Sequence, residues 1–313
     1  MDANEEKNIY LRPLFKREKI LIDELFIIPG TPLLYIKSED MIVFSDVHLG
    51  FEEAVARGLD YTVRGRSSGY AGMFIPRIQL KKTLSILEKI VRILRPKKVL
   101  INGDLKHAFD RLLRQERNEV KKLLDYLLEK NVQEILIVRG NHDNYLPIVL
   151  KDYGLELYRI FELTIKNYRI LFLHGHFDYD IREYDIIIIG HEHPSLRCFE
   201  IYRFPAFLKI QSIYSNYLVV LPAVSPYHPG TQISLLRDNY LSPLIKKYGI
   251  LEEAKPVIWI SYSSSENMKI PGLIKISTEI LDIDDYFINS EHVSIIEFAN
   301  IETALMVCGE LYF

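Results

Sequence analysis

The chain has 313 residues, of which 48% are hydrophobic and 26% charged, with a net charge of -3, the balance of an ordinary soluble globular protein. No apolar run reaches the ~20 residues that cross a bilayer. The slight acidity neither invites nor excludes nucleic acid, since a basic groove can sit on such a protein.

Met1 to Lys19 is charged and lacks the apolar stretch of a secretory signal, so the expected compartment is the cytoplasm. The abundance of Ile, Tyr, Lys and Glu leans toward a heat-adapted source. Cys198 and Cys308 make neither a disulfide framework nor a thiolate metal site, so any metal must use His, Asp and Asn. Residues 1–40 read as an N-terminal extension packing on the core, with short edge strands near Leu21 to Ile28 and Leu33 to Ile36 around the turn at Pro29-Gly30.

Met41 to Phe44 is a short apolar strand that delivers Asp46-Val47-His48. A short helix at Glu52 to Arg57 follows, and then a basic Gly/Ser-rich loop carrying Arg64 and Arg66. A loop of that length beside a site serves either substrate phosphate or plain surface. Leu80, Leu84, Leu87, Val91 and Leu94 recur at helical spacing, and Pro96 ends that helix. The strand Lys98 to Asn102 delivers Gly103-Asp104 and then His107. A second helix, about Arg111 to Lys130, leads to the strand Glu134 to Val138, which delivers Gly140-Asn141-His142-Asp143. Beyond a strand near Leu155 to Phe161, Arg169 to Leu173 delivers His174-Gly175-His176. Four isoleucines, Ile186 to Ile189, are too few for a membrane and too β-branched to favour a helix, so they form a buried strand. It delivers Gly190-His191-Glu192-His193-Pro194.

Alternating strands and helices predict parallel β-α-β units, and such sheets bind ligands beyond the carboxyl ends of their strands. All five polar motifs fall there. After Pro194 the strands Leu196 to Tyr202, Phe207 to Ile210 and Tyr217 to Leu221 suggest hairpins completing a second sheet. The boundaries expected are 41–250 for the main domain and 251–313 for a C-terminal extension, with strands at Val257 to Tyr262 and Val293 to Phe298.

Asp46, His48, Asp104, Asn141, His174, His191 and His193 offer oxygen and imidazole nitrogen, a donor set that suits Mn²⁺ foremost, with Fe²⁺, Zn²⁺ or Ni²⁺ as alternatives. Seven ligands exceed one ion and suit two that share a carboxylate. Two divalent ions, two carboxylates and a bridging hydroxide leave a cluster near about +1, which attracts an anion. Paired ions acidify a bridging water and clamp an in-line displacement at phosphorus. His142 remains for general acid or charge-stabilising work, with Asp143 to orient it. His107 and His176 read as hydrogen-bonding neighbours of the ligands, Glu192 as structural, and His228 and His292 as surface residues.

The ordered series Asp46-Val47-His48, Gly103-Asp104, Gly140-Asn141-His142-Asp143, His174-Gly175-His176 and Gly190-His191-Glu192-His193 resembles the motif set of the calcineurin-like metallophosphoesterases. Gly103 to His107, Leu221-Pro222-Ala223 and Leu241-Ser242-Pro243 are similar to the archaeal SbcD/Mre-related phosphoesterases. The resemblance spans roughly residues 25–250 and implies an α/β fold, a two-sheet sandwich flanked by helices. It also implies that Asp46, His48, Asp104 and His193 bind one metal, that Asp104, Asn141, His174 and His191 bind the second, and that His142 acts on the leaving oxygen. The activity implied is phosphodiester hydrolysis, on DNA or RNA or on a small or cyclic nucleotide, with a partner ATPase or helicase in SbcD-type nucleases. The alternative of another class is a non-catalytic scaffold, which would be expected to lose ligands that this chain retains.

Overall fold

Residues of the central strands face two cores alternately, and two sheets stack as a result. The computed structural model describes residues 11–59, 75–263 and 280–309, apart from residues 17, 19, 21, 229 and 289. The first sheet runs in chain order through β1 (Arg12–Pro13), β2 (Leu25–Ile27), β3 (Leu34–Ile36), β4 (Met41–Phe44), β5 (Lys98–Asn102), β6 (Glu134–Val138) and β7 (Leu157–Tyr158). Strands β4 to β7 pair in parallel. Parallel pairing requires crossovers. After α1 (Phe51–Ala56), α2 (Gln79–Leu94) and α3 (Arg114–Glu129) supply them.

Helix α2 ends at Arg95, which turns left-handed (φ 47°) ahead of Pro96, as the sequence pattern requires. Helix α3 starts later than Arg111, because the Glu116 carboxylate reaches back to accept the Leu113 N–H (2.6 Å) and fixes the first turn there. A short α4 (Pro147–Leu150) precedes β7.

The second sheet contains β8 (Phe161–Ile165), β9 (Tyr168–Phe172), β10 (Ile186–Ile189), β11 (Ser195–Cys198), β12 (Tyr202–Ser212), β13 (Tyr217–Val220), β14 (Gly249–Ser263), β15 (Leu281–Ile288) and β16 (Glu291–Phe298). Its order is β15-β16-β14-β12-β13-β10-β9-β8, with β11 paired to β12. Strands β9, β10 and β13 are mutually parallel, so their carboxyl ends point the same way. Helix α5 (Pro243–Tyr248) and helix α6 (Ile301–Val307) cover the outer face. The α/β two-sheet sandwich with flanking helices is therefore present.

Val43, Leu100, Leu136, Ile186, Ile188, Phe207 and Val219 fill the layer between the sheets. Ile187 and Ile189 turn to the opposite face and pack with Leu244, Ile245 and Ile301. Each fully buried isoleucine contributes about 1.5–3 kcal/mol of hydrophobic stabilisation, which is why this strand carries no polar residue. The segment 251–313 supplies most of β14 with β15, β16 and α6, and residues 1–40 supply β1 to β3. A buried ion cluster joins these ends. The Arg12 guanidinium donates to Glu297 (2.5 Å), Asp284 (2.9 Å) and Asp282 (3.1 Å), and Lys209 Nζ donates to Glu297 (2.9 Å).

The cysteines correct the sequence reading: Cys198 and Cys308 form a disulfide. They are 110 residues apart, a separation that carries no sequence signal, and α6 meets the end of β11 only because both pack on the second sheet.

Candidate metal centre

Five loops meet beyond the carboxyl ends of β4, β5, β6, β9 and β10, and three of those strands belong to one sheet and two to the other. Asn102, the last residue of β5, bridges the sheets. Its side-chain N–H groups donate to the carbonyls of Leu173 (3.1 Å) and Ile188 (3.0 Å). The backbone carbonyl of Asn102 accepts from His174 Nδ1 (2.9 Å). A carbonyl only accepts, so Nδ1 carries the proton and Nε2 is presented bare to the site.

The nitrogen and oxygen atoms converge. Asp46, His48 and His193 form one group, and Asp104, His174 and His191 another, with ligand atoms in each within 4.8 Å of one another. Asp104 stands between them, its Oδ2 3.1 Å from His174 Nε2 and 3.7 Å from His48 Nε2. Asp46 Oδ1 lies 2.8 Å from His193 Nε2. Asn141 presents a buried Oδ1 with no hydrogen-bond partner, and His174 Nε2 is equally without one.

Backbone strain marks the same residues. Asp46, His48, Asp104, His191 and His193 all have φ between 48° and 70°, a region that costs a side-chain-bearing residue about 1–2 kcal/mol. Five such residues around one point indicate a conformation kept for function. Two glycines let the loops close: a Cβ on Gly140 would overlap the backbone and carboxylate of Asp104, and one on Gly190 would overlap Ser45 Oγ.

The electrostatics call for a cation. Asp46 and Asp104 are buried, and none of their ion-pair partners among the described residues is a lysine or arginine. Burial alone would push the His174 imidazole down, but the Asp104 and Asp46 carboxylates overcome it and raise it. Burial opposes His193 likewise, and Asp46 raises it. Burial first, and then the neighbouring His174, push His191 down to about 3, so it stays neutral. The two carboxylates thus favour positive charge in the space between these imidazoles. Two neutralising cations fit a donor set of carboxylate, amide oxygen and bare imidazole.

His142 is half-buried, its Nε2 3.9 Å from Asp104 Oδ2. Its Nδ1 donates to the His107 carbonyl. Asp143 corrects an expectation, because it does not orient that ring. Its carboxylate accepts the backbone N–H groups of Asp104 (2.8 Å), Gly140 (2.9 Å), Leu105 (3.0 Å) and Lys106 (3.3 Å). It thereby clamps the loop carrying Asp104 to the loop carrying Asn141. Glu192 is structural as read, accepting the Leu241 N–H (2.6 Å) and the Ser242 N–H. His107 Nδ1 lies 3.3 Å from His48 Nδ1, a hydrogen bond that orients the ligand ring. Arg64 and Arg66 lie outside the described residues.

His228 was not expected here. It stacks on His48 at 4.2 Å between ring centroids, and its Nδ1 lies 2.7 Å from Ser225 Oγ. The available signal was that its loop follows β13, whose carboxyl end faces the site beside β10. A larger cavity of about 840 Å³ lies at the opposite ends of β9, β10 and β13, near Tyr168, Asp185 and Tyr217, and holds none of the seven candidate ligands.

A two-sheet fold with paired Asp/His clusters at its strand ends, read with the family match below, defines a metal-dependent phosphoesterase. Residues 41–195 match the model of the calcineurin-like phosphoesterases, and the chain belongs to that superfamily. No curated protein sequence matches it. Among solved structures it is similar to the nuclease MPE of Pseudomonas putida (16% identity, 75% of this chain and 91% of that one, TM-score 0.48). It is also similar to Yfce, a phosphoesterase from E. coli (15%, 59% and 80%, TM-score 0.33), and to an archaeal phosphodiesterase (15%, 58% and 83%, TM-score 0.32).

Proposed function

We propose that the protein is a two-metal phosphodiesterase of nucleic acid, DNA or RNA, with Mn²⁺ as its ion. The observation that carries this reading is the convergence of two ligand groups, with Asp104 of the second 3.7 Å from His48 of the first and His142 half-exposed beside them. Asp46, His48, Asp104 and His193 would hold one ion, and Asp104, Asn141, His174 and His191 the other. When bound, such a pair supplies Lewis acidity to the phosphoryl oxygens and a nucleophilic water at neutral pH.

The chain's own groups do the rest. His142 keeps its Nδ1 proton on the His107 carbonyl, which turns Nε2 toward the pocket, where it protonates or stabilises the departing oxygen. Asp143 fixes the two loops, and His107 fixes His48. Described C-terminal residues favour an extended substrate over a small enclosed one: α6 lies against β11, β14 and β16 and is disulfide-bonded to β11, not closed over the ligands. No helix among the described residues is long and apolar enough to cross a membrane. A cytoplasmic site of action, with a partner ATPase or helicase delivering substrate, completes the proposal. The disulfide is compatible with that compartment in a heat-adapted cell, where intracellular proteins are rich in such bonds.

The test is Mn²⁺-dependent hydrolysis of bis(p-nitrophenyl) phosphate by the wild-type chain, Asp104→Ala and His142→Ala. Activity should require the metal, vanish in Asp104→Ala and fall by about 10²–10⁴ in His142→Ala. A wild-type chain that binds no metal would overturn the reading and favour a scaffold.

A further inference from the structure

We propose that the cavity between the β11–β12 hairpin and the loop after β13 is a second phosphate subsite, in which Arg203 holds the phosphodiester group next to the one being cut. This rests on the phosphodiesterase reading above and adds to it which substrates are favoured. The cavity measures about 220 Å³ and is lined by His193, Ser195, Arg203, Ser225 and His228 with prolines and Ala223. It shares His193 with the first ligand group, so it borders the metal centre.

Its charge is one-sided. Among the described residues no carboxylate lines it, while the Arg203 guanidinium stays protonated at all working pH. Arg203 is exposed and makes no ion pair among the described residues. Antiparallel register sets Arg203 opposite Arg197 and Pro205 opposite Ser195, so all four share one face of the hairpin. The Arg203 guanidinium gives the cavity a positive field.

Size then decides the ligand. Pockets for drug-sized molecules run about 300–1,000 Å³, so this one is too small for a nucleoside with its base and suits a single phosphate. Planar guanidinium is the side chain best shaped to hold phosphate by two parallel hydrogen bonds. The wall toward the metal centre is rigid, because His228 is held by Ser225 and stacked on His48. A substrate with one phosphate leaves the cavity empty, and a polynucleotide fills it with its neighbouring phosphate.

The probes are the thymidine dinucleotide with one phosphate and the same dinucleotide carrying an added 5′- or 3′-terminal phosphate. Binding is measured by calorimetry on Mn²⁺-loaded His142→Ala, with and without Arg203→Ala, and turnover of bis(p-nitrophenyl) phosphate on Arg203→Ala alone. One of the two-phosphate ligands should bind about tenfold more tightly than the one-phosphate ligand, the worth of one charge-assisted contact. Arg203→Ala should erase that ratio, Arg203→Lys should restore part of it, and turnover of the single-phosphate ester should stay unchanged. The subsite is overturned if neither terminal phosphate tightens binding, if the ratio survives in Arg203→Ala, or if turnover of the small ester falls in parallel. Failure of the wild-type chain to hydrolyse the small ester would sink the phosphodiesterase reading, while an Arg203-dependent ratio would still support the anion site.

Discussion

Asp143→Asn separates a residue that builds the metal centre from one that touches the metal. In the native protein each carboxylate oxygen takes two buried N–H groups, Oδ2 those of Asp104 and Gly140, and Oδ1 those of Leu105 and Lys106. An amide keeps one oxygen and turns an NH₂ group toward the other pair of donors. Two charge-assisted hydrogen bonds are lost, each worth about 1.5–3 kcal/mol, so the variant should be about 3–6 kcal/mol less stable. At about 2–4 °C per kcal/mol for a domain of this order of size, its melting temperature should fall by roughly 10 °C. The loops bearing Asp104 and Asn141 lose their clamp together, and Mn²⁺ affinity should drop about 10- to 100-fold, as for other groups that support a ligand from behind. Scanning calorimetry and Mn²⁺ titration measure both. A variant that melts within 2 °C of the wild type and binds Mn²⁺ equally, on the scale of about 1 kcal/mol or less, would refute the clamp.

Gly140→Ala should lower phosphodiester turnover by about 100-fold with little change in circular dichroism, because the new methyl displaces Asp104 and a small misplacement of a reacting group has that effect. Glu297 tests pH dependence. Burial works to raise its carboxyl, but Lys209 and Arg12 prevail and hold it below the ordinary 4.5. A carboxyl depressed in the folded state contributes stability above its unfolded value and loses it as pH falls through the folded one. Wild type should therefore exceed Glu297→Gln by about 3–5 kcal/mol in urea unfolding at pH 7, and the gap should close below pH 4.5; a constant gap would count against the cluster. Opening the disulfide with dithiothreitol should lower unfolding stability by up to about 4–5 kcal/mol, the loop-closure value for some hundred residues, and leave Mn²⁺ affinity intact. All seven candidate ligands precede Cys198, so a loss of metal on reduction would contradict that independence.

The candidate ligands were legible because each follows a short apolar strand, and strand polarity is written in the order of the chain. Ile186 to Ile189 illustrate this, as a run with no polar residue has to be buried on both faces. Four things were not legible. Cys198 and Cys308 are joined by the packing of α6, which no local pattern announces. Asp143 looked like a partner for its neighbour His142, yet its bonds run to a loop nearly forty residues back, set by tertiary closure (|i−j| 37 to 39). His228 sits in a Pro- and Gly-punctuated loop that reads as surface, and only the parallel pairing of β13 with β10 brings it over His48. Strand β15, with alternating exposure and three aspartates, lacks the apolar run that marks a central strand.

Each ligand group draws on both sheets: Asp46 and His48 come from one and His193 from the other, while Asp104 faces His174 and His191 across the same gap. An ion bound there is a clasp between two slabs, joining positions such as His48 and His193 that are 145 residues apart in the chain. Loading the centre would fasten the two sheets there, as the Arg12–Glu297–Lys209 cluster already fastens β1 of one sheet to β12 and β16 of the other. Occupancy should accordingly be visible far from the chemistry, as slower amide exchange in the strands of both sheets at once.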